Sequence, residues 1–293
     1  MTNPQTSQEP TQKTAPTEEK FKFKISYLLP ILASMLFGLG CAFLLIPQQA
    51  TVIPVTPIPE DTPGAPFGNG LYFVVLIAIS ATVFYLLLKR RSKRIIKGLI
   101  ITALTTAALL LSLVYLSALT SYVPIIADWL IVVPLALALT VLFDLAIFRF
   151  GSLSRNVAVI LIGGALGIFF GFSIPLWSAV VILAFLAIYD VIAVYKGPVG
   201  KIAQNGLDQL QGLSFAFMDI QMGLGDLVFY SMLTGVMLFS FLPNIYPVIA
   251  SIIGIIAGSI VTFYMLEKKG LFPGLPFPIL IGLASGLAVG FLL

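Results

Sequence analysis

Apolar runs long enough to cross a bilayer recur along the chain, separated by short polar or charged connections. They fall at about 24–46, 71–88, 95–119, 124–148, 157–173, 175–195, 222–242, 245–266 and 273–293. Roughly 20 apolar residues in helical conformation span the hydrocarbon core, so the pattern predicts an all-α membrane protein of nine transmembrane helices. The fifth and sixth runs are divided only by the turn at Ser173-Ile174-Pro175, and the seventh and eighth only by Pro243-Asn244. The first run, Phe23 to Ile46, is too long for a signal-peptide core and lacks a small-residue cleavage site, so it reads as a retained span. Residues 1–22 are rich in Thr, Gln, Pro, Glu and Lys without apolar periodicity, which predicts a disordered cytoplasmic tail. Two blocks follow: 23–173, carrying helices one to five, and 174–293, carrying helices six to nine and the 197–221 connection. Gly197, Pro198, Gly200, Gly206 and Gly212 predict irregular, mobile structure in that connection. No internal repeat and no matched pair of broken helices, the mark of many transporters, is visible.

The basic residues test this count, because cytoplasmic connections retain Lys and Arg. Lys13, Lys20, Lys22 and Lys24 precede the first span, and Lys89, Arg90, Arg91, Lys93, Arg94 and Lys97 lie between the second and third. Arg149 and Arg155, Lys196 and Lys201, and Lys268 and Lys269 complete the set of 16, all on one side. The other side, with the Pro-rich loop 47–70, has none. The expected topology therefore has the N-terminus in the cytoplasm and the C-terminus outside, as a multi-pass protein of the cell membrane.

Composition agrees: 59% of residues are hydrophobic and 10% charged. The net charge of +4 comes from these clusters and not from the basic, aromatic-interleaved surface that nucleic-acid binding needs. The single cysteine, Cys41, excludes an intrachain disulfide and a CxxC metal site, and reads as a small buried residue. Histidine is absent, which removes HExxH zinc chemistry, Ser-His dyads and histidine proton relays. No metal or cofactor is expected.

Acids inside membrane spans are expensive and are functional suspects by default. Three of those in the spans are Asp144, Asp190 and Asp226. Asp144 lies five residues before Arg149, where it can reach the headgroups or pair with that arginine. Asp190 lies six residues before Lys196, on the order of 9 Å inside the cytoplasmic end of span six. Asp226 sits near the start of span seven, which enters from the same face. Two carboxylates at one depth on oppositely directed spans are what an aspartyl dyad needs: one ionised to deprotonate water, one protonated to donate to a carbonyl. Gly223 and Gly225 allow a backbone, from substrate or a neighbouring helix, to approach closely. The same two acids also suit cation ligands in a channel or transporter, and both readings stand at this point. Asp208 and Asp219 read as solvated loop acids.

Tyr189-Asp190 in span six, Gly223-Leu224-Gly225-Asp226 in span seven and Pro273-Gly274-Leu275-Pro276 at the start of span nine resemble, in order and spacing, the presenilin and signal peptide peptidase family of GxGD intramembrane aspartyl proteases. The likeness covers roughly residues 185–280, and the chain looks like an archaeal presenilin homologue. It implies that Asp190 and Asp226 are the catalytic pair, that Tyr189, Gly223, Leu224 and Gly225 adjoin them, and that Pro273, Gly274, Leu275 and Pro276 form a substrate-binding loop. The family's loop usually reads Pro-Ala-Leu, and Gly274 takes the alanine position here. Signal peptide peptidases resemble presenilins turned over in the membrane, and the charge count gives the presenilin sense. Type IV prepilin peptidases also carry GxGD but continue as GxGDxK, whereas Leu227 and Val228 follow here. The partners this implies are transmembrane protein or peptide substrates within the lipid bilayer, with a homo-oligomer left open. By its position at the positive end of helix seven, Asp226 is expected to be the base and Asp190 the proton donor.

Overall fold

In the computed structural model, residues 22–51, 54–90, 92–124, 128–196, 214–217 and 220–293 are described. They form nine helices: α1 (Leu29–Leu45), α2 (Ala65–Lys89), α3 (Lys93–Leu119), α4 (Trp129–Phe148), α5 (Ser152–Ser173), α6 (Leu176–Tyr195), α7 (Leu224–Phe241), α8 (Tyr246–Lys269) and α9 (Pro276–Leu292). Eight are long and apolar enough to cross a membrane; α9, at 17 residues, is shorter. Most of residues 1–22 and most of the 197–221 connection, with Asp208 and Asp219, lie outside the described residues.

The helices are apolar nearly all round because they face lipid outside and protein inside. Leu130 is 81% exposed and Leu153 77%, whereas Ser34, Ser178, Ser231, Thr234 and Ser251 are fully buried. Without a hydrophobic drive between helices in lipid, small residues and hydrogen bonds hold the bundle together. Helix α5 is its centre. Its Gly164 lies against Ser34 and Gly38 of α1, and its Gly167 and Gly171 lie against the backbone of α7. At Gly167 an added Cβ would stand 2.6 Å from the Ser231 Cβ and 2.8 Å from the Met232 amide nitrogen. Ser34 and Ser231 hydroxyls meet at 3.2 Å, tying α1 to α7. Helix α9 packs mainly on α8 and also touches α6 and α7.

Several helix starts differ from the sequence pattern. Helix α2 begins at Ala65, not near 71, because Gly64 turns the chain at φ 81° and a proline occupies the first turn. Asn69, which marks a loop in the sequence pattern, is fully buried in that helix. Its side chain is satisfied by the Ile58 amide (3.0 Å), the Ile58 carbonyl (2.9 Å) and the Ser178 hydroxyl (2.8 Å). Helix α5 starts at Ser152 instead of 157, and α9 at Pro276 instead of 273, which leaves Pro273-Gly274-Leu275 outside the helix. The all-α expectation also gains a β-hairpin: β1 (Ser214–Phe217) pairs antiparallel with β2 (Ile220–Gly223), joining Phe217 to Ile220 and Ser214 to Gly223. Each strand is four residues long, too short for a span-scale hydropathy pattern to register.

The α5–α7 contact generates a prediction. Gly167→Ala forces α7 backbone to move and should lower stability by about 1–3 kcal/mol. Gly40→Ala, where a Cβ meets nothing within 4 Å, should not lower it. Thermal unfolding in detergent compares the two; equal midpoints contradict the packing.

Candidate active site

Asp226 reaches its position through local helix chemistry. Gly223 is the N-cap of α7 and Asp226 the third helical residue, in the first turn beside the positive end of the dipole. Its carboxylate turns back to the Gly223 amide, so that Gly-Leu-Gly-Asp forms the acidic half of a capping box. Strand β2 ends at Gly223, so the hairpin feeds straight into this cap. Neither motif glycine meets a neighbouring helix. A Cβ on Gly225 would find only Phe229 at 3.7 Å, and one on Gly223 only Asp226 and the Gly225 amide. Of the two approaches expected at these glycines, a packed helix is therefore absent among the described residues, and room in front of the acid is what remains.

Asp190 lies five residues before the end of α6. Its Oδ2 accepts the Leu275 amide at 3.0 Å, and the Gly274 amide is turned toward the same carboxylate. Asp226 lies against the same segment: a Cβ on Gly274 would stand 3.2 and 3.3 Å from the Asp226 carboxylate oxygens. Both acids thus lie against the Gly274-Leu275 stretch. Tyr189, next to Asp190 on α6, is half-buried. Leu275 is buried and Pro276 opens α9, so the Pro-Gly-Leu-Pro segment is anchored at its C-terminal end by a helix start.

Asp144 is a separate matter. Its Oδ2 accepts the Thr105 hydroxyl of α3 at 2.8 Å, while its Oδ1 is buried without a hydrogen-bond partner. The sequence left Asp144 reaching the headgroups or pairing with Arg149; the partner found is Thr105 across the α3–α4 interface, because residue 144 faces α3 and Arg149 follows the helix end. Sequence reasoning missed Tyr230. It is 3% exposed, one turn after Asp226, and its hydroxyl donates to the Gly274 carbonyl at 3.0 Å. Its spacing of four from Asp226 puts both side chains on one face of α7, a signal the sequence carries.

A family model described as signal-peptide peptidase, presenilin aspartyl protease matches residues 55–208, just over half of the chain. The chain belongs to this family. The matched stretch holds Asp190 and stops short of Asp226 and the proline segment. Two solved structures, each of a presenilin family intramembrane aspartate protease, share the fold of this family member. The one in space group C222 is 21% identical, covers 92% of this chain and 100% of its own, and superimposes with a TM-score of 0.65. The one in space group P2 is 22% identical, covers 90% and 95%, and gives a TM-score of 0.62. No curated protein matches the chain.

Gly274 supplies the second prediction. Gly274→Ala should keep cleavage of a single-span test substrate within about threefold, because Asp226 need yield only a few tenths of an ångström. Gly274→Val, which fills the space before the carboxylate, should cost on the order of 100-fold. Equal turnover of the two variants contradicts this placement.

Proposed function

We propose that this family member is an intramembrane aspartyl protease that hydrolyses peptide bonds within or near transmembrane segments of membrane proteins, with Asp190 and Asp226 as its catalytic pair. The observation that carries the reading is the convergence of two span-borne carboxylates on one short stretch of backbone, at Gly274-Leu275. Family membership supports it independently. The positive-side clustering of all 16 basic residues supports nine spans with a cytoplasmic N-terminus, in the presenilin sense.

In the proposed mechanism the ionised Asp226 takes a proton from water as the oxygen attacks the scissile carbonyl carbon. Protonated Asp190 gives its proton to the carbonyl oxygen, forming a gem-diol. Asp226 then gives its proton to the leaving nitrogen while Asp190 takes one back from a gem-diol hydroxyl, which breaks the C–N bond, releases a carboxylic acid and an amine, and restores both acids. Water supplies the nucleophile, so the steps balance without a covalent intermediate or a cofactor. A helical peptide bond in lipid is shielded by its own hydrogen bonds, so substrate must unwind locally. The β1–β2 hairpin, ending at the N-cap of α7, suits reception of unwound substrate as an added strand, with the Pro273–Pro276 segment on the other side. Deletion of residues 204–214 should then lower cleavage, and unchanged cleavage argues against strand addition. The channel or transporter reading gains no observation of its own.

The third prediction is that purified, reconstituted protein cleaves a single-span substrate, whereas Asp190→Asn and Asp226→Asn each lose at least about 1,000-fold while remaining folded. Retained cleavage in either variant contradicts the pairing. Cation flux in liposomes that needs both acids, without cleavage, would replace the protease reading by the channel.

A further inference from the structure

The Gly274 carbonyl and the Leu275 amide are the two ends of one peptide group. The carbonyl accepts the Tyr230 hydroxyl of α7 at 3.0 Å, and the amide donates to Asp190 Oδ2 of α6 at 3.0 Å. A single planar peptide therefore bridges the two helices that carry the acids, in the order Tyr230 hydroxyl, Gly274 carbonyl, Leu275 amide, Asp190 carboxylate. We propose that Tyr230 is a positioning residue, acting on Asp190 through the Gly274–Leu275 peptide. Its consequence for turnover rests on the protease reading; the positioning itself does not.

The argument begins with the peptide plane. Rotation about its flanking bonds is the motion by which this segment would lose the Asp190 contact, and the residue on its N-terminal side is glycine, the least restrained of all. The plane is rigid, so a donor holding the carbonyl also fixes where the amide points. Tyr230 is that donor. It is buried, and its own backbone is set by the same helix turn that sets Asp226, so the two acids are referenced to each other through it. A donor at the carbonyl also polarises the peptide and strengthens its amide as a donor, an effect that a dry, buried setting preserves. The Leu275 amide occupies Oδ2 and the Gly274 amide is turned toward the same carboxylate, so the orientation of this peptide sets how Asp190 is presented. Tyr230 thus serves to aim the Asp190 carboxylate, without touching the reacting atoms.

Gly274 makes this device matter here. An alanine would wedge its Cβ against the Asp226 carboxylate and brace the segment sterically. Glycine gives no such brace, and the Tyr230 hydrogen bond supplies the restraint instead.

The test is Tyr230→Phe, which deletes one oxygen and keeps the ring. Three readouts are taken beside wild type and Asp190→Asn: hydrogen–deuterium exchange of the peptide covering residues 272–276, the thermal midpoint, and steady-state cleavage. The Leu275 amide should exchange at least about tenfold faster, with the midpoint within a few degrees of wild type. kcat should fall about tenfold with KM within twofold, since a misaimed acid weakens the transition state and not substrate binding. Gly274→Ala placed in the Tyr230→Phe background should recover part of the lost kcat, which a merely structural role for the hydroxyl would not produce. Unchanged exchange at Leu275 overturns the proposal whatever the activity, and so does faster exchange with kcat unchanged. If wild-type protein cleaves nothing, the protease reading fails while the exchange readout still decides the positioning.

Discussion

Two carboxylates inside a membrane bundle are the constraint around which this structure is arranged. An acid in hydrocarbon must find hydrogen-bond donors or a counter-ion. The donors identified here are backbone amides: Gly223 for Asp226, and Leu275 with Gly274 for Asp190. Backbone donors require backbone that is not consumed by a helix. That requirement accounts for the two breaks in helical structure at the site, the N-cap after β2 and the Pro273-Gly274-Leu275 segment before α9.

Holding those breaks at one place is the work of the close helix contacts. Helix α5 lacks side chains where α7 crosses it, so α7 sits at a fixed depth and rotation, and Asp226 with it. On the other side α8 and α9 approach as closely, Gly258 lying against Phe277 and Pro278, which fixes the start of α9 and hence Gly274. The site is thus set by two small-residue crossings and closed by hydrogen bonds, as is common in a membrane bundle. Gly225, next to Asp226, is exposed, and an added Cβ there would meet only Phe229, at 3.7 Å, among the described residues.

Much of this was legible in the sequence because hydrocarbon makes acids conspicuous. Asp190 and Asp226 stand out from their apolar surroundings, and the proline segment is marked by its own punctuation. The residues that escaped notice look ordinary in a membrane helix. Tyr230 reads as an aromatic among apolar neighbours, and its role depends on a carbonyl 44 residues away. Asn69 reads as a loop residue until Ile58 and Ser178 are brought beside it. The Gly163, Gly167, Gly171 spacing on α5 was present in plain form, and it reports a contact face that hydropathy averages away. The hairpin was lost for a different reason, since four-residue strands fall below the scale on which spans are recognised.

The central claim is that Asp190 and Asp226 act together on one reacting group. An experimental structure of the protein with a hydroxyl-bearing, transition-state-type aspartyl inhibitor tests it most directly. The account predicts the hydroxyl seated between the two carboxylates, with the Leu275 amide still on Asp190. An inhibitor bound away from both acids, or a cation held between them in its place, would contradict it.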